Sequence, residues 1–284
     1  MCTLRWWERA LSSLHEFQVN VRAAIARARV RIKGTIQDPA WMIAEMIIPM
    51  FSIGGFILLY RALGAPASYS GFVIVGGAMI AFWTNVLWGM AAQFYWEKEV
   101  GNLEIYFVAP ISRMAILLGM ALGSVVTMVL RVFGIVLFGI LLFNVSLNIV
   151  DPIAVSIIFT LTLASLYSLG MVFSSLYLLW GREAWKLNEL LVEPTYFLSG
   201  FFFQIRGNVV VPLVLQFASS LIPMTFGLDG LRKVLILGQG LQSVLLEVSV
   251  LAAFSLALFV AAHYVLAYME NLAKKEGRLT LRWQ

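Results

Sequence analysis

Long apolar runs separated by short polar segments dominate the pattern of this chain. Six runs approach or exceed the roughly 20 apolar residues that a helix needs to cross a bilayer. Their length and continuous apolar character favour membrane-spanning helices over the striped helices of a soluble domain. The predicted spans are approximately residues 40–60, 71–93, 115–143, 153–180, 189–204 and 243–267.

The first 39 residues show a different, two-sided pattern. Apolar side chains recur there at helical spacing, and arginines occupy another side of the same helix. This pattern is typical of an amphipathic helix lying in the membrane interface, and a soluble helix packed on a partner is the alternative. Asp38 and Pro39 then predict a helix start, as N-cap and first helical residue. The apolar positions are Trp7, Leu11, Leu14, Phe17, Val21 and Ile25, and the basic ones Arg5, Arg9, Arg22 and Arg29.

Composition supports a membrane protein. Of the 284 residues, 61% are hydrophobic and 12% charged, whereas a soluble domain carries about 25% charged residues. The single cysteine, Cys2, excludes a disulfide within one chain and a cysteine metal cluster. We therefore predict an all-α polytopic membrane protein with six transmembrane helices and no metal site.

The basic residues predict the orientation. The net charge is +5, and 15 of the 20 basic residues fall in four segments, 1–39, 94–114, 181–188 and 268–284. Because cytoplasmic loops are enriched in Lys and Arg, we predict that both termini are cytoplasmic and that the chain lies in the cell membrane. The charge then gives no support for a nucleic-acid partner. The predicted regions are 1–39, a membrane domain 40–267 and a tail 268–284.

A charged segment, EKEVGNLE, interrupts the apolar pattern between the second and third spans. Its periodicity predicts a short amphipathic helix over 97–107, with Val100, Leu103 and Phe107 on one face and Glu97 and Glu104 on another. Such a helix would present carboxylates to a soluble partner. An ordinary solvated loop is the alternative.

This segment resembles the first cytoplasmic coupling region of ABC-2 type transporter permeases, which typically reads E-[RK]-x-x-G-[TN]-L-E followed by a Pro-[IL]-[SR]-R turn. YFLSGFFFQI and LIPMTFGLDGLRKVLILG are similar to the family's fifth span and the short extracellular re-entrant helices that follow it. A departure is FFFQIRGNVVVP, where many relatives carry an earlier proline, and this leaves the shape of the outer loop open. The positions that carry the likeness or lie within it are Glu97, Lys98, Glu99, Gly101, Asn102, Leu103, Glu104, Pro110, Ser112, Arg113, Pro212, Pro223, Thr225 and Arg232.

The resemblance implies half of an exporter. Two permease copies, identical or homologous, would form the pathway, and two copies of a separate ABC ATP-binding subunit would hold ATP and Mg and press on the coupling helix. Within this chain none of the six lysines follows a glycine, so the P-loop signature is missing and ATP hydrolysis is expected on the partner. The family moves drugs, lipids and lipid-linked saccharides, which implies an amphiphilic substrate.

Residues 206–240 are apolar but broken by glycines and prolines, Gly207, Pro212 and Pro223 among them. No helix of about 20 residues survives these breaks. Because backbone at membrane depth must satisfy its hydrogen bonds, short re-entrant helices are predicted. The alternative is a lipid-facing outer loop.

Charged residues inside predicted spans are costly and often functional. Arg131 and Glu247 fall at similar depths when counted at about 1.5 Å per residue, so we predict a structural ion pair between them. Binding of an acidic substrate headgroup by Arg131 is the alternative. For Glu45 and Glu193, contact with substrate or with the coupling helix competes with snorkelling to the interface.

Aromatic residues on the predicted fifth span, Tyr196 and Phe201 to Phe203, suit stacking against sugar rings or planar drugs in a pathway. Interfacial belts are the alternative. Two other function classes remain: an ion-gradient-coupled carrier, which would favour paired broken helices in both halves, and a membrane enzyme or scaffold.

Overall fold

A computed structural model describes residues 2–145, 147–206 and 211–276, and the side chains of residues 2–14, 107 and 178 fall outside it. The last part of the predicted tail, 277–284, and the predicted break at Gly207 also lie outside the described residues. Every regular element in the described ranges is helical, which confirms the all-α class. The α-helices are α1 (Cys2–Ile36), α2 (Pro39–Ala62), α3 (Ser68–Thr84), α4 (Gln93–Glu99), α5 (Asn102–Val108), α6 (Arg113–Phe143), α7 (Pro152–Trp180), α8 (Trp185–Ser199), α9 (Leu213–Ser220), α10 (Pro223–Leu235) and α11 (Leu245–Lys275).

Five helical stretches within the described residues are long and apolar enough to cross a membrane. They coincide with five of the six predicted spans. One of them is composite, because a π-helix (Asn85–Ala91) joins α3 to α4. The stretches are Pro39–Ala62, Ser68–Glu99, Arg113–Phe143, Pro152–Tyr177 and Leu241–Lys275.

The predicted span 189–204 differs from the structure. Helix α8 has 15 residues, a length of about 22 Å against a hydrocarbon thickness of about 30 Å. It ends because Gly200 adopts the left-handed conformation, with φ +67°, which a glycine reaches at little cost. Residues 201–206 continue as turns and irregular chain. The element predicted there is thus shorter than a full span.

Helices α3 and α7 form the centre of the bundle. In the spanning stretch that contains α3, 83% of the most apolar window is buried, compared with 17% for α2 and for α11. Helix α7 packs against α10, α11 and the π-helix. Lipid is as apolar as these side chains, so tight packing rather than exclusion of water holds such helices together.

Helix α1 runs parallel to α6 in close contact with it. A Cβ at Gly119 would lie 2.4 Å from the Ala24 carbonyl oxygen, and one at Gly123 would lie 2.7 Å from Arg31 Cβ. The glycines at 119 and 123 therefore let the two backbones approach, as small residues four apart do in membrane helices. Of the apolar stripe predicted for α1, the described side chains of Phe17, Val21 and Ile25 are 66%, 40% and 44% exposed. Contact of this stripe with the membrane interface stays a prediction.

The region 211–240 folds into two short helices where the breaks were predicted. Pro223 begins α10, and the Thr225 hydroxyl donates to the Ser219 carbonyl across the turn. Helix α10 runs antiparallel to α7, because Gly227 abuts Thr162 and Gly230 abuts Ile158. Thr162 lies ten residues into α7, about 15 Å from its start. Re-entry of this pair into the membrane stays a prediction.

Candidate functional site

The α4–α5 segment, residues 93–108, replaces the single helix predicted over 97–107. Gly101 adopts φ +83° between the two helices, a left-handed conformation that glycine accommodates without strain. The break separates the positions expected on one face: Val100 is 72% exposed, whereas Leu103 is buried. The predicted shared face of Val100 and Leu103 is therefore wrong, and the side chain of Phe107 lies outside the described residues.

Glu97 is the centre of a polar network at this segment. It is 5% exposed, and its carboxylate accepts hydrogen bonds from Arg27, Gln93, Asn102 and Tyr106. Burial raises the pKa of Tyr106 to about 12. The phenol is therefore protonated at neutral pH, and its O–H donates a hydrogen bond to Glu97. The expectation that Glu97 faces a soluble partner is wrong; it fastens the segment to α1.

The outer surface of the α4–α5 segment combines acidic and apolar side chains. Glu99 and Glu104 are exposed, and Val108 is 88% exposed. Val100 and Ile105 are also largely exposed. Exposed apolar groups beside carboxylates, at the end of an otherwise lipid-suited bundle, are typical of a protein-binding surface.

Two further predicted coupling residues lie beside this surface. Lys98 is partly buried on α4. Arg113, the first residue of α6, pairs with Glu270 of α11 at 3.4 Å. The α4–α5 segment is thus tied to α1 through Arg27, packs against α7, and is followed in the chain by α6, whose first residue is joined to α11.

A cavity of about 700 Å³ opens next to the α4–α5 segment, between α1, α2, the π-helix and α6. Three arginines line it: Arg27 and Arg31 from α1, and Arg131 from α6. The π-helix contributes Asn85 and Trp88. A π-helix inside an α-helical run is uncommon and frequently marks a functional site.

The Arg131–Glu247 pair predicted from depth counting is wrong. Arg131 pairs with Glu45 of α2, and Glu247 pairs with Lys233 of α10 at 2.8 Å. The first half of α6 is flanked by α1 rather than by α2, so Arg131 lies level with the start of α2. Counting residues along α6 alone placed Arg131 too close to the Phe143 end of that helix.

The remaining predicted pathway residues lie elsewhere. Glu193 is exposed on α8, and Tyr196 forms a 2.9 Å hydrogen bond with Thr84. Phe201 is fully buried. Each aromatic side chain packs on an aromatic neighbour, and a role in a pathway stays a prediction. The ring pairs are Tyr196–Phe201, Phe56–Phe202 and Phe197–Phe203.

Arg232 of α10 is 2% exposed and donates to the backbone carbonyls of Phe201 and Phe72. Its guanidinium also lies 5.1 Å from the centre of the Phe72 ring. Buried irregular backbone after α8 needs such donors, because a buried carbonyl without a hydrogen-bond partner is costly. Pro212 occupies the N-cap position of α9, and its side chain makes no hydrogen bond to the backbone of that helix.

Asp151 joins two helix starts at the same end of the bundle. Its carboxylate accepts from the backbone N–H groups of Ile153 and Ala154 at the start of α7, which confirms the predicted cap, and from that of Leu241 before α11. The N–H groups of Ala154 and Leu241 hold the pKa of Asp151 below its ordinary value.

Sequence reasoning missed Arg27, Arg31 and Gln93. A usable signal was present: Ala24, Arg27, Ala28 and Arg31 share one helix face by their spacing of three and four. The GMALG motif of α6 offered the matching small-residue surface. The stronger apolar stripe on α1 drew attention to a different face.

Comparison with known proteins then gives the family. The family model described as ABC-2 type transporter matches residues 19–236, which is more than half of the chain. The match covers the α4–α5 segment, the cavity and α10. A search of curated proteins returned no match.

Proposed function

Because the chain belongs to the ABC-2 type transporter family, we propose that this permease component exports an amphiphilic molecule from the cytoplasmic side of the cell membrane. A separate ATP-binding subunit supplies the energy. Two permease copies and two ATP-binding subunits form the working complex, with ATP and Mg held by the latter. Both termini and the α4–α5 segment are cytoplasmic in this proposal.

The Glu97 network carries the proposal. It ties the exposed α4–α5 segment to Arg27 of α1, and α1 is packed closely on α6 through Gly119 and Gly123. A push on the segment is therefore transmitted to a spanning helix through a buried ion pair and a close helix contact. A solvated loop would not need four side-chain donors on one carboxylate.

Docking uses the exposed side chains rather than Glu97. Glu97 is enclosed by its own donors, whereas Ile105 and Val108 are open. Glu99 and Glu104 flank them and can pair with basic groups of the ATP-binding subunit. The apolar side chains supply the buried centre of the contact, and the two glutamates supply its polar rim.

Co-purification with a candidate ABC ATP-binding subunit tests the proposal. We expect Ile105→Gln and Glu104→Lys to weaken complex formation and to lower permease-stimulated ATP hydrolysis at least several-fold. Val214→Gln, which changes an apolar residue of α9 that is 78% exposed compared with 65% for Ile105, is the matched control and should have no effect. Complex formation and ATP hydrolysis that are indifferent to both α4–α5 changes would refute the coupling role.

A further inference from the structure

The cavity beside the α4–α5 segment contains an arginine without a carboxylate of its own. Arg27 pairs with Glu97, and Arg131 pairs with Glu45. Within the described residues Arg31 has no ion pair, and its acceptor in this cavity is the neutral amide oxygen of Gln93 at 3.3 Å. The Arg31 Nε is buried and has no hydrogen-bond acceptor among those residues.

The surroundings of Arg31 disfavour its positive charge. Burial and the neighbouring guanidinium groups of Arg27 and Arg131 lower the pKa of Arg31. A buried cation with no counter-ion is costly. The nearby acids are engaged elsewhere: Glu45 binds Arg131, and the Asp38 carboxylate accepts from the Trp41 backbone N–H. Among the described residues, Arg31 is therefore left without a negative charge in ion-pair contact, although the Asp38 carboxylate also lines the cavity.

The shape of the cavity leaves room for a group that carries that charge. A Cβ at Gly89 would lie 3.2 Å from an Arg31 nitrogen and 2.7 Å from the Asn85 side-chain nitrogen. Glycine at this position therefore keeps both donors accessible on the π-helix side. A volume of about 700 Å³ lies within the range of small-molecule sites, about 300–1,000 Å³.

The rim of the cavity suits the apolar hydrocarbon tail of a ligand. Trp41 and Ile48 of α2 line it and are 62% and 68% exposed. Helix α2 is itself among the least buried spans. A charged head between the arginines and a hydrocarbon tail along α2 would each meet matching surroundings.

From these observations we propose that the cavity binds the phosphate or diphosphate headgroup of an amphiphilic substrate, with Arg31 as the principal cation. The guanidinium group is suited to this task because its planar set of donors matches phosphate oxygens in pairs. The inference rests on the proposed function for the statement that the ligand is a transport substrate. The binding of the headgroup by Arg31 can be tested without transport.

Binding to the purified permease, without an ATP-binding subunit, tests the inference. Dodecyl phosphate, dodecyl phosphocholine and inorganic pyrophosphate are titrated in a fixed maltoside detergent. Intrinsic tryptophan fluorescence and the thermal midpoint report binding, and Trp41 and Trp88 line the cavity. We expect saturable binding of dodecyl phosphate, weakened about 10-fold or more by Arg31→Gln. Arg29→Gln, an exposed arginine on the same helix, is the matched control.

Arg31→Lys keeps the charge but loses the paired donors, so it should bind with intermediate affinity and guards against a variant that fails to fold. The phosphocholine compound, whose single anionic charge is offset by choline, should bind more weakly but still depend on Arg31. Binding of dodecyl phosphate that is indifferent to Arg31→Gln would overturn the inference. Arg31-dependent binding of pyrophosphate as tight as that of dodecyl phosphate would support an anion site but reject the lipid headgroup as its source. Arg31-dependent binding by a permease that neither co-purifies with an ATP-binding subunit nor stimulates its ATP hydrolysis would keep this inference and count against the proposed function.

Discussion

The ion pair between Arg27 and Glu97 should stabilise the attachment of the α4–α5 segment to α1. Glu97→Gln preserves the shape of the side chain and its bonds to Asn102 and Tyr106 but removes the charge. The Arg27 side chain, which is 14% exposed, would then carry its positive charge without a carboxylate partner. Removing one partner of a buried pair costs about 3–5 kcal/mol, and this residual exposure favours the lower end, about 3 kcal/mol.

Thermal unfolding of the purified permease measures this loss. For a chain of this size about 1 kcal/mol shifts the midpoint by roughly 2–4 °C, so a loss of about 3 kcal/mol in Glu97→Gln should lower it by roughly 6–12 °C. The double variant Arg27→Gln with Glu97→Gln removes both charges and should lose less than the sum of the single variants. We expect a coupling energy of about 1–3 kcal/mol. Glu104→Gln, on the exposed surface, is the control and should leave the midpoint unchanged.

Additive effects of the two single changes would contradict the reasoning. A coupling energy below about 0.5 kcal/mol is what independent sites give, and it would mean that the two charges do not depend on each other. A loss of stimulated ATP hydrolysis in Glu97→Gln with an unchanged midpoint would also count against a fastening role and in favour of direct contact with the partner.

Three further predictions concern packing and capping. Gly76→Ala should cost about 1–3 kcal/mol of stability, because its Cβ would meet the Phe201 carbonyl oxygen at 1.7 Å; Gly55→Ala, which meets nothing within 4 Å, should be neutral or slightly stabilising in the same thermal assay. Gly123→Val should separate α1 from α6 and speed protease cleavage within α1, and unchanged cleavage would show that the close approach is dispensable. Asp151→Ala should lower the thermal midpoint at pH 7 more than Asp151→Asn does. Because the pKa of Asp151 is depressed in the folded protein, the stability that the carboxylate contributes is present at neutral pH and is lost as the pH falls below the ordinary aspartate pKa of about 4. The difference in midpoint between wild type and Asp151→Ala should therefore shrink at acidic pH.

The spans were predictable because membrane-length apolar runs leave few alternatives to a helix. Asp151 could also be recognised, since an acidic residue directly before Pro152 is a local signal. The α8 boundary was missed because apolar composition continues through Phe201 to Phe203, whereas the left-handed Gly200 ends the helix. Hydropathy carries no information about that backbone torsion.

The partners in the site were harder to predict than its location. The charge pattern singled out residues 97–104, but it treated Glu97 as an outward carboxylate, whereas Glu97 is buried. Its burial depends on Arg27, which is 70 residues away in the sequence, and on the break at Gly101. Likewise, the choice of Glu45 over Glu247 by Arg131 depends on how far α1 extends along α6, a tertiary property that no local pattern specifies.

The arrangement of α1 and α2 along α6 has a mechanical consequence. Asn20 accepts a hydrogen bond from the Ser112 backbone at one end of α6, and Gly54 meets Phe143 at the other. The stretch 20–54 therefore accompanies the 31 residues of α6, about 46 Å, and its helix is interrupted at residues 37–38. The stretch thus consists of two helical arms, α1 and α2, joined at that interruption. Lengthening the interruption by a few flexible residues should let α1 tilt while α2 stays in place.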